Sequence, residues 1–236
     1  MQLETLFLDA GGVLLFPNFE RISAALGRHG VTIATGALAK AELAAKRQLD
    51  EEQTFQAMSD QERGRLYFSL MLERAGLSRT PSAEAAIAEL HDYHRQHNLW
   101  DHVPGDARPA LAAFRARGLR LVVVSNANGT LKRLFDRIGL TPTVDLVLDS
   151  HEEGVEKPDP RFFQIALERS GARQETTVHV GDLYHVDVVG ARAAGIRPVL
   201  LDVGDLYAGV DCPRVRSLTA LADAMLAGTF GTTPNQ

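Results

Sequence analysis

At 236 residues with 45% hydrophobic content, the chain is long enough to bury a full core, and this excludes disorder for most of its length. Its 30 acidic and 25 basic residues are mixed throughout for a formal net charge of −5, with no Lys/Arg block to mark a nucleic-acid or anionic-membrane surface. The single cysteine (Cys212), the lack of any apolar run of membrane-spanning length and the absence of a signal-like leader favour a reducing, cytoplasmic setting and a small soluble partner, for a monomer or homodimer.

In chain order, Leu6-Phe7-Leu8 reads as a short buried strand that delivers Asp9 directly into the turn Gly11-Gly12. Asn18 is placed to cap a helix from Phe19 that ends near Gly30. From there to about Trp100 the apolar spacing is helical throughout, with segments at Thr35–Leu49, Asp60–Ala75 and Ser82–His97. The texture changes at Val103-Pro104-Gly105. Beyond it, helical and strand patterns alternate: helix 106–117, strand 119–124, helix 131–138, strand 144–148, helix 160–170, strand 177–180, helix 186–194, strand 196–201 and helix 218–227. Alternation of this kind, with strands that are continuous β-branched runs, predicts an α/β fold: a doubly wound, Rossmann-like parallel sheet covered on both faces. Residues 1–15 and 101–236 form this core, residues 16–100 are a small helical domain inserted after its first strand, and residues 230–236 read as a flexible tail.

Four segments then fall at one edge of the predicted sheet. The first strand ends in Asp9, the second in Ser125-Asn126, a loop carries Lys157-Pro158-Asp159-Pro160, and a further strand ends in Gly181-Asp182, with Asp187 in the next turn. Three crowded carboxylates repel one another unless a cation sits among them, and an all-oxygen set suits Mg²⁺ that shares a substrate phosphate. Lys157 complements the same phosphate. The Ser125 hydroxyl and backbone amides around Gly11 and Gly12 supply neutral donors, and Asp9 can attack a phosphoryl group in line.

Asp9-Ala10-Gly11-Gly12-Val13, Ser125-Asn126-Ala127, Lys157-Pro158-Asp159-Pro160 and Gly181-Asp182 with Asp187 and Gly190-Ala191 resemble, in order and spacing, the four signature segments of the haloacid dehalogenase superfamily. That resemblance implies Asp9 as nucleophile and metal ligand, with the Gly11 carbonyl and Asp182 as further Mg²⁺ ligands. Asp187 becomes a ligand or a support. Ser125 and Lys157 hold the transferred group as catalytic and substrate-binding residues, with Asn126 and Gly12 beside them, Asn126 orienting the loop. The helical insertion resembles the family's cap domain, which closes over the site and chooses the substrate.

One position departs from the pattern. The family's phosphatases carry a second Asp two residues after the nucleophile as general acid/base, and here that residue is Gly11. The sequence therefore keeps three readings open. They are a Mg²⁺-dependent phosphatase acting on a small phosphorylated molecule, a phosphonatase-type enzyme using a cap lysine (Lys40 or Lys46), and a phosphate-binding protein without turnover. Lys40 and Lys46 read first as a solvated helix face, Arg21 and Arg47 as surface charges, and Trp100 as a packing anchor. His91, His94 and His97 read as exposed or partly packed. His102, in the returning connection, is a candidate substitute acid, and His185 a candidate donor to the acidic loop.

Overall fold

The computed structural model describes residues 3–52, 60–78 and 80–227. The proposed tail at 230–236 lies outside them. The chain divides into two compact units, residues 1–14 with 103–236 and residues 15–102.

The first unit is the sheet. Strands β1 (Thr5–Leu8), β2 (Arg120–Ser125), β3 (Leu146–Asp149), β4 (Thr177–Gly181), β5 (Arg197–Leu201) and β6 (Arg214–Val215) lie in the order β3-β2-β1-β4-β5-β6, with every neighbouring pair parallel. β1 is central because it is wholly apolar after Thr5 and buried on both faces. The chain winds outward from it to β3, then returns to β4 on its other side and winds outward again. The crevice at this reversal, above the carboxyl ends of β1 and β4, is where doubly wound sheets bind their ligands.

Side chains alternate across the sheet. Phe7, Val122, Val124 and Leu148 meet Phe162, Phe163 and Ala166 of α8 (Pro160–Ser170) and Ala191 of the short α9 (Val189–Ala193). α5 (Ala107–Ala116) packs on β2 and on α10 (Leu218–Leu226). The loop that leaves β2 for α6 (Leu131–Arg137) is fixed by the buried Asp149, whose Oδ2 accepts from the Gly129 and Leu131 amides at 2.9 and 3.3 Å.

The second unit is helical: α1 (Phe19–Arg28), α2 (Thr35–Glu51), α3 (Asp60–Arg74) and α4 (Pro81–His97). Asn18 caps α1 through its side-chain oxygen, which accepts from the Arg21 amide at 2.9 Å. Trp100 packs against the rings of Tyr67, Phe68 and His94. The unit begins and ends one or two residues away from the expected 16 and 100. Phe16 and His102 form an antiparallel bridge, donating to each other's carbonyls at 2.8 and 3.2 Å, so both belong to the insertion.

Three local features differ from expectation. The helix expected over 186–194 begins instead as a π-turn at Tyr184–Val188 before α9. A four-residue helix, α7 (Ser150–Glu153), follows β3 where no helix was expected, and β6 is too short to show a period. Lys46 is the main correction in the helical unit. It is buried on the same face of α2 as Glu42 and Asp50, not solvated, whereas Lys40 is exposed.

Candidate functional site

Strand geometry assembles the site. β1 and β4 are adjacent and in register, Leu8 opposite Val180, so the residues that follow them emerge side by side. Asp9 lies at the end of β1 with its amide bonded to the Val180 carbonyl at 2.9 Å, and its Oδ1 accepts from the Ala10 amide at 2.7 Å. Asp182 lies just beyond β4. Carboxylate oxygens of Asp9, Asp182 and Asp187 all fall within 4.8 Å of one another, and all three residues are buried.

The glycines are required here. Gly12 has φ +73°, and a Cβ on it would stand 1.8 Å from Asp182 Oδ2. A Cβ on Gly181 would stand 2.0 Å from Asp187 Cγ. The two turns can thus approach only because neither carries a side chain at that point.

Lys157, 2% exposed, reaches into this cluster with Nζ 3.1 Å from Asp9 Oδ1 and 2.7 Å from Asp187 Oδ1. Its backbone is held by Asn126, whose Nδ2 donates to the Lys157 carbonyl at 2.9 Å while its Oδ1 accepts from the Lys157 amide at 2.8 Å. Asn126 was expected among the substrate-binding residues. Both ends of its amide are committed to this clamp, so it aims the lysine. Gly190 completes the support, since a Cβ there would stand 2.9 Å from Pro158 Cα.

Asp187 is likewise more committed than a free ligand. Its Oδ1 accepts from Lys157 and from His179 Nε2 at 2.9 Å, and its Oδ2 accepts from the Asp182 and Leu183 amides at 3.1 and 3.0 Å. Four donors reach its two oxygens, so its hydrogen bonds are those of a support for Lys157 and the Asp182 loop, one of the two roles expected of it, while its carboxylate stands in the same cluster as Asp9 and Asp182. His179 itself went unrecognised in the sequence; the one signal was an imidazole inside the otherwise apolar strand Thr177-Val178-His179-Val180.

The electrostatics divide the carboxylates. Burial pushes Asp9 above its ordinary range, Lys157 pulls it back, and the charge on Asp187 pushes it up again, leaving it raised. Burial also works against charge on Asp187. Lys157 first, then the hydrogen bond from His179, more than offset it and hold this carboxyl well below the usual range. Lys157 loses solvation, yet Asp187 and Asp9 together raise it, so it remains an ammonium.

With the imidazole counted as neutral, three carboxylates against one ammonium leave two negative charges in excess. The all-oxygen donor set and that excess fit one divalent ion of the Mg²⁺ type among the carboxylates of Asp9, Asp182 and Asp187.

A family model described as haloacid dehalogenase-like hydrolase matches residues 3–195. The chain belongs to this family. Within the haloacid dehalogenase-like hydrolases it is 38% identical over 124 residues to haloacid dehalogenase-like hydrolase domain-containing protein 3 of Bos taurus (52% of this chain, 49% of that one). It is 35% identical over 140 residues to the ribulose-1,5-bisphosphate 5-phosphatase of Halopiger xanaduensis (58% and 57%), and 38% identical over 138 residues to the phosphoserine phosphatase of Thermus thermophilus (58% and 53%). These matches span about half the length of each relative. Among solved structures, the HAD-hydrolase YfnB of Bacillus subtilis bound to magnesium superposes with TM-score 0.70 at 20% identity, covering 95% of this chain and 99% of that one, which is a likeness of fold.

The remaining candidates lie elsewhere. His185 stacks edge-on to Tyr184 on the π-turn. Arg21 sits over the Tyr93 ring at 4.1 Å and beside Asp101, while Arg47 pairs with Glu51. His91 and His94 face Phe68 edge-on, and His102 is exposed with its backbone paired to Phe16. Burial raises the Cys212 thiol to about 11, which leaves it unreactive at neutral pH. Among the described residues no helix is long and apolar enough to cross a membrane.

Proposed function

We propose that the chain is a Mg²⁺-dependent phosphatase that cleaves a small phosphorylated molecule through an aspartyl-phosphate at Asp9. The observation that carries this reading is the buried Asp9 carboxylate at the topological reversal, with Lys157 Nζ at 3.1 Å and Asp182 in the same cluster. Two relatives named as phosphatases of small phosphorylated metabolites support the substrate class.

Asp9 attacks phosphorus in line with the departing oxygen; the new Asp9 O–P bond forms as the P–O bond to the leaving group breaks. Lys157 shields the carboxylate from the phosphoryl oxygens it must approach. The Ser125 hydroxyl and the amides of the Gly11-Gly12 turn donate to those oxygens. Water then cleaves the aspartyl-phosphate, releasing inorganic phosphate and restoring Asp9. A divalent ion held by Asp9, Asp182 and the Gly11 carbonyl supplies charge stabilisation when bound.

Gly11 bears no side chain to protonate the leaving oxygen, and absence of such an acid typically costs about 10²–10⁴ in rate. The leaving group best suited to this site departs without a proton, as from an acyl or aryl phosphate. The test is Mg²⁺-dependent phosphate release from an acyl, an aryl and an alkyl phosphate by the native protein, Asp9→Asn and Gly11→Asp. The first two substrates are cleaved by the native protein only through Asp9, and Gly11→Asp adds the third. No release from any substrate would leave a phosphate binder.

A second reading is phosphonatase-type cleavage through a Schiff base on Lys46, which is buried on α2 with Glu42 and Asp50. Borohydride in the presence of an aldehyde phosphonate would then label Lys46, and an unlabelled Lys46 disposes of it.

A further inference from the structure

His179 occupies the middle of β4, opposite Phe7 of β1 and Pro198 of β5, with no solvent exposure. A strand buried on both faces is normally filled by Val, Ile or Leu, and an imidazole there is costly. The cost is visible in the ring itself. Nδ1 has no hydrogen-bond partner among the described residues, and the ring meets the edge of Phe163 at 4.9 Å. A buried polar atom left unpaired is destabilising. Something must therefore favour the other nitrogen.

Nε2 stands 2.9 Å from Asp187 Oδ1. Because the acceptor is a carboxylate, Nε2 carries a proton and donates it to Asp187, while Nδ1 faces no partner among the described residues. The same Oδ1 takes Lys157 Nζ at 2.7 Å, and that Nζ stands 3.1 Å from Asp9 Oδ1. The four groups form one buried chain: imidazole, carboxylate, ammonium, carboxylate. The amides of Asp182 and Leu183 hold Oδ2, so His179 provides the second donor that fixes Oδ1.

We propose that His179 is a positioning residue for the reaction at Asp9: its Nε2–H anchors Asp187 Oδ1, which keeps the Lys157 ammonium shared between Asp187 and Asp9. This rests on the reading of Asp9 as nucleophile. Without the anchor, Asp187 Oδ1 is free to turn, and the ammonium settles onto Asp9, tying up the lone pair that attacks phosphorus. The chemical step slows and substrate binding does not.

Three variants separate the possibilities. His179→Gln keeps an N–H near the place of Nε2, His179→Asn puts one near Nδ1, and His179→Leu has neither. The measurements are kcat and KM for p-nitrophenyl phosphate with Mg²⁺, the melting temperature, and ¹⁵N spectra of histidine-labelled protein. Leu and Asn are expected to lower kcat about 10–100-fold at unchanged KM. Leu leaves the melting temperature equal to or above that of the native protein, because the orphan nitrogen is gone. Gln recovers most of kcat. In the native protein the His179 resonance reports the Nε2–H tautomer and moves on Asp187→Asn. Native kcat in the Leu variant overturns the proposal, as does a Gln variant as slow as Leu, a loss that follows the melting temperature, or an Nδ1–H tautomer. A native protein that turns over nothing sinks the phosphatase reading, and the positioning role with it, whereas an active native protein with an indifferent Leu variant sinks the His179 role alone.

Discussion

Asp9 and Asp187 share one cluster and one lysine, yet their carboxyls are displaced in opposite directions, and the consequences for stability are opposite. Asp9 is raised above its unfolded value, so its contribution is fully present below the ordinary carboxylate range and is lost as pH rises through the raised value. Above that range its burial works against the metal-free protein. Asp9→Asn should therefore raise the melting temperature of the metal-free protein while abolishing turnover, a gain of about 2–4 °C per kcal/mol for a chain of this size; a fall in a thermal scan refutes it. Asp187 is depressed, so its contribution is present above the ordinary range and is lost only in strong acid. Asp187→Asn leaves Lys157 with too little counter-charge and should cost about 3–5 kcal/mol in urea denaturation. The raised Asp9 also predicts that Mg²⁺ affinity climbs with pH through the Asp9 titration, since the ion displaces a proton; calorimetry that detects no proton release contradicts this. Asp9, Ser125 and Asp182 stand out in the sequence because each ends or follows an apolar run, whereas Lys157 lies in a polar loop and stands out only within the segment Lys157-Pro158-Asp159-Pro160. His179 does not, because one imidazole in a β-branched strand looks like filler until its partner across eight residues is seen. Lys46 was misread for a related reason: helical spacing identifies a face and does not say what covers it.

Elements long enough to show a period were readable to within a residue or two. α8 spans Pro160–Ser170 as expected, with Pro160 in its first turn and Gly171 in the left-handed conformation after its end. β6 was invisible because two residues have no period and exist as a strand only through pairing with β5. The π-turn was invisible because its geometry is imposed by a tertiary demand, the return of Asp187 to the Asp182 and Leu183 amides. Turns also carry a sharp prediction. Gly12→Ala places a Cβ against Asp182 Oδ2 and should lower Mg²⁺ affinity at least about tenfold. Gly30→Ala has nearly the same positive φ but nothing within 4 Å, so it should cost about 1–2 kcal/mol and leave Mg²⁺ affinity unchanged. Equal affinities in the two variants would mean that backbone strain, and not the collision, governs the turn.

Across the whole molecule, the sequence changes texture at Val103, where helical spacing without strands gives way to alternating strands and helices, and the compact units divide between residues 102 and 103. The seam itself rests on a backbone bridge that no side-chain pattern announces. That bridge has a meaning of its own. Phe16 and His102 donate to each other's carbonyls, and the Asn18 amide bonds to the Leu99 carbonyl at 3.0 Å, so the two ends of the insertion are joined by an isolated antiparallel bridge and one further hydrogen bond. A hydrogen-bonded pair of this kind stands only about 5.5 Å apart between Cα atoms. The two ends of the lobe therefore lie side by side, as the two ends of a hairpin do. An insertion pinned in this way is a cassette: its contents can be lengthened or shortened without shifting either of the two points at which it is stitched in.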